Sequence, residues 1–270
     1  MILSFHTCFE ADDNRICAGR DPNEDDITAI KKAHAVILPQ GCRESLYVAA
    51  KKNCANVFPN YDMRFAYKGK LGQTKLFQEL NINHPKTKIF PDINSLNIDS
   101  HMDFPFVLKF DWGGEGDGVF FINSKEDWEL AFKRIITFEK EGRHGFLIQE
   151  FIPEGNSSVR VVVIGGAFFS YFRVQKNKDC YYSNISKGGY IDFDYNPALQ
   201  DQCISLAQMF CSKTGINLAG FDFIFSSEFS PPFFLEINYF FGRQGLGGGE
   251  TFYKILNSEI NNWIKTKIIV

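Results

Sequence analysis

The first 66 residues alternate short apolar runs with segments of helical periodicity. The apolar runs Ile2–Phe9, Ala35–Leu38 and Ala55–Phe58 are predicted as strands, and Asp25–Ala33 and Arg43–Lys52 as helices. Strands separated by helices of about ten residues indicate a parallel sheet with right-handed crossovers. The pattern therefore predicts a small βαβαβ domain over residues 1–66.

The remaining residues, 67–270, carry further strand and helix patterns. Predicted strands lie at 105–110, 119–122, 146–152, 158–164, 167–174, 218–225 and 233–237. Predicted helices lie at 73–80, from a cap at 124 through 136, from a cap at 196 to 215, and at 251–264. The last two strands are joined by a short polar segment and predict a hairpin. The fold class predicted is α/β, with α+β character in this second part.

Composition and charge narrow the function classes. The net charge is −3 and the isoelectric point about 6.0, which gives no sign of a nucleic-acid or anionic-membrane partner. The longest apolar stretches are too short to span a bilayer, and the start of the chain does not resemble a signal peptide. The seven cysteines form no CxxC pair, so we expect free thiols and a cytoplasmic protein.

A glycine-rich segment, residues 113–118 with the sequence GGEGDG, follows the strand that carries Lys109. It lacks the Lys-Ser/Thr ending of a P-loop, and a strand rather than a helix follows it, unlike a dinucleotide fingerprint. Such a loop can fold over a triphosphate and offer backbone N–H groups. A flexible surface hairpin is the alternative. Lys109 favours phosphate because an unpaired lysine seldom points into an apolar sheet, but a solvated edge lysine stays open.

The predicted hairpin at 218–237 carries acidic residues. The period of two places Phe234, Glu236 and Asn238 on one face of their strand, and Asp222 faces them from the partner strand. Two facing carboxylates repel each other and lose hydration, and a divalent cation removes that cost. Oxygen ligands suit Mg²⁺ better than zinc, and the five scattered histidines offer no metal spacing. Carboxylates held by Arg160 or Arg173 are the alternative.

The order of seven segments resembles that of the ATP-grasp family, and most closely its RimK type, which adds glutamate to carboxylates. The segments are 69–75 (GKLGQTK), 104–109 (FPFVLK), 113–118 (GGEGDG), 147–152 (LIQEFI), 159–166 (VRVVVIGG), 183–189 (SNISKGG) and the hairpin with Asp222, Glu236 and Asn238. The resemblance covers roughly residues 67–250. It implies an ATP-grasp domain over 67–270, with a nucleotide-lid subdomain at about 85–150 and a catalytic subdomain at about 151–270. Residues 1–66 resemble a reduced form of the domain that precedes ATP-grasp modules.

The resemblance also implies roles for individual residues. Groups expected to hold ATP are Lys70, Lys109, Gly113, Gly114, Gly116 and Gly118 at the phosphates, Gln149, Glu150, Phe151 and Ile152 around the adenine, and Glu154 at the ribose. Those expected to act on the transferring phosphate or acyl phosphate are Arg173 and Asn184, with Arg160 and Lys187 completing the catalytic set. Asp222, Glu236 and Asn238 are expected to bind Mg²⁺ or Mn²⁺.

The sequence departs from the family pattern in three places. Gly69 stands where an acidic residue usually precedes the first lysine, and Ser158 stands where an acidic residue usually lies two before the arginine. The segment after the metal asparagine, normally a small residue and then Pro-Gly, reads YFFGRQGLGG over residues 239–248. This last change lies where acceptors approach, so the family does not identify the substrate.

The implied reaction is phosphoryl transfer from ATP to a carboxylate, followed by attack of an amine, or less readily a thiol, on the acyl phosphate. Expected partners are therefore ATP, a small carboxylate and an amine, or a peptide or protein terminus. Two rivals are a small-molecule kinase of the same fold and a nucleotide-binding module without catalysis. Self-association into a homo-oligomer is left open.

Overall fold

The protein is described by a computed structural model that covers residues 1–96, 103–112, 118–153, 157–175, 188–227 and 230–268. Three sheets organise these residues: one four-stranded and parallel, one four-stranded and antiparallel, and one five-stranded and antiparallel. The mixed α/β class predicted from the sequence is confirmed.

The first sheet is parallel, with the strand order β2-β1-β3-β4. Its elements are β1 (Ile2–Ser4), β2 (Asp13–Asn14), α1 (Glu24–Lys32), β3 (Ala35–Ile37), α2 (Glu44–Asn53) and β4 (Val57–Phe58). The predicted parallel pattern is thus present, with the short edge strand β2 added. Helix α1 begins where it does because Asn23 and Asp26 form a reciprocal capping box, which satisfies backbone N–H groups at the helix start.

Two helices join the first sheet to the second: α3 (Asp62–Ala66) and α4 (Gly69–Glu79). Helix α4 begins four residues before the predicted start at 73, so Lys70 lies in its first turn rather than in a loop. The earlier start has a physical cause outside the helix. The carboxylate of Asp111 accepts a hydrogen bond from the backbone N–H of Leu71 at 2.9 Å, which the local sequence does not reveal.

The second sheet is antiparallel, with the order β5-β8-β6-β7. Its elements are β5 (Thr87–Phe90), β6 (Phe106–Phe110), β7 (Val119–Ile122), α5 (Lys125–Lys140) and β8 (Phe146–Glu150). Helix α5, capped by Ser124, packs Ala131 and Ile135 onto an aromatic core of the sheet. The sequence pattern also predicts Phe132 on the apolar face of this helix, but Phe132 is 36% exposed.

The third sheet is antiparallel, with the order β11-β10-β9-β12-β13. Its elements are β9 (Ser157–Ile164), β10 (Ala167–Gln175), β11 (Gly189–Asp192), α6 (Pro197–Thr214), β12 (Leu218–Ile224), β13 (Phe233–Asn238) and α7 (Gly248–Ile268). One face packs with α6 and the first sheet in the largest core cluster. On the other face Val162 and Ile164 pack with residues of α7. This second face also carries the candidate site.

A β-bulge corrects one prediction about the acidic hairpin. Asp222 pairs with Glu236 but Phe223 pairs with Phe234, so Leu235 is an extra residue on β13. The bulge turns Phe234 into the core, where its ring centroid lies 4.3 Å from that of Phe223. The prediction that Phe234 shares a face with Glu236 and Asn238 is therefore wrong, while those two residues stay on the face of Asp222.

The cysteines that the structure describes are all free thiols, and four of the six are buried. Within the described ranges, no helix combines the length and apolarity needed to cross a membrane.

Candidate active site

A row of polar side chains crosses the third sheet. Asp222 on β12 lies opposite Glu236 on β13 and, on its other side, opposite Arg160 on β9. Arg160 in turn lies opposite Tyr171 on β10. Because side chains at paired positions project from the same face, the row gathers its charges on the face that also carries Val162.

Asp222 is the most heavily engaged side chain of this row. Arg160 donates to it twice, from Nε to Oδ1 and from Nη2 to Oδ2, both at 2.7 Å. Arg173 Nη2 lies 3.0 Å from Oδ2, and Asn238 Nδ2 donates to the same oxygen at 3.1 Å. The arginine-held carboxylate considered as an alternative is therefore real for Asp222. Glu236 differs, because no ion pair within 4.0 Å joins it to a described arginine or lysine.

These contacts set the charge of Asp222. Burial alone would raise the pKa of its carboxyl group, but Arg160 and Arg173 outweigh burial and lower that pKa to about 2. Asp222 is therefore ionised at neutral pH although only 4% of it is exposed. Arg173 is also held by Ser158, whose Oγ accepts from Nε at 3.2 Å and from Nη2 at 3.0 Å. Ser158 thus orients Arg173 at the position where the family pattern has an acid.

Two lysines approach this row from outside the third sheet. Lys109 on β6 is half-buried, and burial lowers the pKa of its amine to about 8, with Lys70 lowering it further and Glu236 and Asp222 opposing the shift. These interactions require Lys109, Lys70 and the two carboxylates to lie near one another. Lys70 also donates to the carbonyl oxygen of Trp112 at 3.5 Å. The structure therefore brings the two lysines near the acidic hairpin.

The start of α4 is fixed by Asp111, which follows β6 directly. Gly69 has φ +67°, and a Cβ added there would lie 2.3 Å from Asp111 Oδ1, so a larger residue would be strained and would displace this carboxylate. The same carboxylate accepts from Leu71 N. An acidic group is thus present at this helix start, but it comes from Asp111 across the site rather than from the residue before Lys70. It also ties the second sheet to the helix of Lys70.

A second contact ties α4 to the hairpin. Gln73, one helical turn after Lys70, donates from Nε2 to the carbonyl oxygen of Ile237 and accepts from its N–H, both at 2.9 Å. The side-chain amide therefore satisfies both backbone groups of Ile237 on the outer side of the edge strand β13. Ile237 lies between Glu236 and Asn238, so Gln73 fixes the distance from Lys70 to the acidic residues.

The predicted adenine frame lies at the end of β8. Gln149 is buried and donates from Nε2 to Thr87 Oγ1 at 2.9 Å, while Glu150 is exposed and accepts from Lys86 N at 3.1 Å. Strand β8 ends at Glu150, so Phe151 and Ile152 lie in the connection to the third sheet. Phe151 packs against the ring of Phe121 with centroids 4.7 Å apart.

Several predicted site residues cannot be placed against this geometry. Gly113, Gly114, Gly116, Glu154, Asn184 and Lys187 lie outside the described residues. Gly118, the last of the predicted glycine loop, is described: it has φ +78°, and its carbonyl oxygen accepts from Phe110 N at 2.9 Å.

The segment after Asn238 folds back over the sheet face. Gly245 packs directly on Tyr171, since a Cβ added at Gly245 would lie 2.1 Å from the ring. Phe241 covers Gly220, which pairs with Asn238. Beside this segment a cavity of about 500 Å³ opens between Asn238, α3 and the starts of α2 and α4. The departure from the family pattern at 239–248 therefore shapes one wall of a cavity next to the candidate metal residues.

The donor set suits a hard divalent cation. Asp222, Glu236 and Asn238 offer only oxygen ligands, as Mg²⁺ prefers. Asn238 directs its NH₂ group to Asp222, which leaves its side-chain carbonyl oxygen to accept a metal. Among the described residues, Asp222 Oδ1 accepts from one donor and keeps a lone pair, whereas Oδ2 has three donors. No cluster of three histidine, cysteine or acidic side chains occurs in the described ranges, so phosphate oxygens and water would complete the coordination.

Sequence reasoning missed two residues that position the site, Asp111 and Gln73. A signal existed for Asp111: the acid absent at Gly69 had to be supplied elsewhere, and Asp111 follows the strand of Lys109. Gln73 lies three residues after Lys70 and so shares its helix face. Its partner, the backbone of Ile237, is 164 residues away in sequence and left no local signal.

Comparison with known proteins identifies a family model and a relative that match this chain. Residues 68–257, more than half of the chain, match the RimK-like ATP-grasp domain. A curated relative, the probable alpha-L-glutamate ligase of Cellvibrio japonicus (strain Ueda107), is 30% identical over 144 residues. That match covers 53% of this chain and 44% of the relative, so the chain aligns with less than half the relative's length.

Solved structures show the same fold. A RimK domain ATP-grasp protein from Sphaerobacter thermophilus DSM 20745 superposes with a TM-score of 0.64 and 14% identity, covering 96% of this chain and 98% of that one. The D-alanine–D-alanine ligase of Bacillus anthracis complexed with ATP superposes with a TM-score of 0.66 and 14% identity, covering 96% and 89%. At such identity the likeness shows the fold alone.

Proposed function

Because the chain belongs to the RimK-like ATP-grasp family, we propose that it is an ATP- and Mg²⁺-dependent ligase that activates a carboxylate and joins it to an amine. One observation carries the proposal: Gln73, one turn after Lys70, is hydrogen-bonded to Ile237 of the acidic hairpin, and Lys70 contacts Trp112 just after the strand of Lys109. With Arg160 and Arg173, four cations lie among three carboxylates in the described site, because Asp111 stands at the start of the helix that carries Lys70. The excess positive charge favours a polyanion such as a triphosphate.

Different residues of the site bind the nucleotide, hold the metal and orient the transferring group. Lys70 and Lys109 bind the phosphates, and the backbone at 149–152 frames the adenine. Mg²⁺ held by Asp222, Glu236 and Asn238 would neutralise charge on the phosphate oxygens. Arg160 keeps Asp222 ionised and in place. In this proposal Arg173, which Ser158 orients, contacts the transferring group. Phosphoryl transfer needs mainly such positioning and charge neutralisation.

In the proposed reaction a carboxylate oxygen of the acid attacks the γ-phosphorus of ATP, and the bond to the β-phosphate oxygen breaks, which releases ADP. The nitrogen of the amine then attacks the acyl carbon, loses a proton, and inorganic phosphate leaves. The products are ADP, phosphate and an amide. The name of the Cellvibrio japonicus relative suggests glutamate as an amine to try first, and a peptide or protein terminus is a further acceptor class.

ADP release in the presence of panels of acids and amines tests the proposal. We expect ADP to form only with ATP, Mg²⁺ and a suitable acid, and Lys109→Met to reduce its formation by about tenfold or more through the loss of a charge-assisted phosphate contact. Lys133→Met is the matched control, because Lys133 is an exposed lysine on α5 of the same sheet unit. ATP binding without ADP release for any acid would instead indicate a non-catalytic nucleotide-binding module.

A further inference from the structure

The cavity beside Asn238 has a composition that the nucleotide site does not explain. It measures about 500 Å³, within the range of ligand pockets. Its lining comes from α2, α3, the start of α4 and the segment after β13. Its walls include Glu44, Arg64, Phe65, Lys68, Asn238 and Phe240. It also lies beside the loop that follows β3, at the carboxyl end of a parallel sheet, where α/β proteins commonly bind ligands.

Arg64 is the central feature of this cavity. Its guanidinium carbon lies 4.7 Å from the ring centroid of Tyr61 and 4.9 Å from those of Phe65 and Phe240. Nη1 donates to the carbonyl oxygen of Gln40 at 2.6 Å. The rings and this hydrogen bond fix the guanidinium in one orientation. Among the described residues, no carboxylate lies within 4.0 Å of it, so the cation has no counterion there.

The other charges of the lining cancel each other. Lys68 Nζ lies 2.5 Å from Glu44 Oε2, which pairs these two residues. Arg64 is therefore the charge that remains on the cavity wall. A half-buried guanidinium with a fixed plane and no counterion is suited to a planar anion, since its N–H groups can donate to two oxygens at once.

The geometry points to a substrate with two anionic groups, and we infer that Arg64 binds the one that does not react. This inference rests on the proposed function, because the reacting carboxylate must lie at the Asn238 end, beside the metal residues. The second anion, a carboxylate or a phosphate, then pairs with Arg64. The rings of Phe65 and Phe240 contact the spacer between the two groups. Arg64 is thus a specificity-determining residue.

Binding can be measured apart from turnover. The probes are the diacids malonate, succinate, glutarate and adipate, their monoamides, and the matching ω-phosphono acids, titrated by calorimetry with Mg²⁺ and a non-hydrolysable ATP analogue present. The wild-type protein should bind at least one diacid or phosphono acid about tenfold or more tightly than its monoamide. The diacid and phosphono arms distinguish the two anion types.

Variants test the residue. Arg64→Gln should remove the preference for the second anion and leave the affinity for the ATP analogue unchanged. Arg64→Lys keeps the charge but loses the two parallel N–H donors of the guanidinium, so it should retain part of the preference. Arg43→Gln is the control, because Arg43 is exposed and paired only with Asp21 at 3.5 Å among the described carboxylates. Circular dichroism and thermal melting verify the fold, and Arg64→Lys carries the comparison if Arg64→Gln does not fold.

The outcomes separate the two claims. A wild-type protein that binds no diacid better than its monoamide, or an Arg64→Gln variant that keeps the preference, overturns the role of Arg64. ADP release with acids that carry a single anion overturns it as well, while supporting the ligase. Diacid binding that depends on Arg64 without any ADP release supports the binding site and counts against the ligase.

Discussion

Replacing Asp222 by asparagine would measure how much the row of polar side chains on the third sheet contributes to the stability of the protein. The substitution keeps the size of the side chain but removes the charge shared by Arg160 and Arg173, whose closest contacts to it are 2.7 and 3.0 Å. Both guanidinium groups are almost fully buried, so they would remain in the core without a counterion. Breaking a buried pair in this way typically costs about 3–5 kcal/mol of unfolding free energy.

The pKa of Asp222 gives a second estimate of how much this carboxylate contributes to the free energy of unfolding. Its reduction from the ordinary 3.8 to about 2 corresponds to roughly 2 kcal/mol, at about 1.4 kcal/mol per unit. Because the folded-state pKa is the lower one, this contribution is complete above pH 3.8 and is lost as the pH falls toward about 2. The Asp222→Asn variant should lack this part of the pH dependence.

Urea unfolding followed by tryptophan fluorescence, at neutral pH and near pH 3, measures both effects. Asp21→Asn is the control, because the Asp21 side chain is 69% exposed and faces Arg43 at 3.5 Å, so its loss should change stability little. An Asp222→Asn variant no less stable than Asp21→Asn, or one that loses as much stability in acid as the wild type, would refute the reasoning.

Three further substitutions test how the site is assembled. In the wild type the amine of Lys109 has a pKa of about 8 and must be protonated to bind phosphate, so the ATP affinity measured by calorimetry should decline as the pH rises past 8. Lys109→Met should lower the ATP affinity about tenfold below pH 8. The affinity of this variant should not decline further above pH 8. Asp111→Ala should remove the cap of α4 and cost about 1 kcal/mol in urea unfolding. Gln73→Leu should lose both hydrogen bonds to Ile237, cost about 1–3 kcal/mol, and weaken ATP binding.

Each of these expectations can fail in a recognisable way. Lys109→Met with an unchanged pH profile would remove this lysine from the phosphate site. Stability of Asp111→Ala equal to that of the wild type would mean that water replaces the cap. If Gln73→Leu is destabilised but binds ATP normally, the contact to Ile237 supports the fold without positioning Lys70.

The elements that sequence patterns located well are those with local signals. Helix α6 was predicted between caps at 196 and 215 and runs from Pro197 to Thr214, because Asn196 caps its start and Gly215 adopts the left-handed conformation at its end. The strands that were missed, β2, β5 and β11, all lie at sheet edges. An edge strand pairs on one side only and keeps half-exposed side chains, so it shows no continuous apolar run.

The residues of the candidate site also differ in whether a local sequence signal reveals them. Lys109, Asp222 and Glu236 could be chosen because charges stand within apolar strands. The bulge at Leu235 could not, since Phe234 and Leu235 are both apolar and either face accepts them. The cap from Asp111 and the contact from Gln73 join residues far apart in sequence, and only the packed chain brings them together.

The central claim is that the chain forms an acyl phosphate on its carboxylate substrate, and hydroxylamine trapping tests it most directly. With ATP, Mg²⁺ and an acid that stimulates ADP release, hydroxylamine should yield a hydroxamate of that acid while ADP and inorganic phosphate appear in equal amounts. Glu236→Gln should suppress all three products, since weaker metal binding leaves the charge of the transferring group uncompensated. ADP formation with the phosphate retained on the acceptor as a stable ester, and without hydroxamate, would contradict the ligase and indicate a kinase.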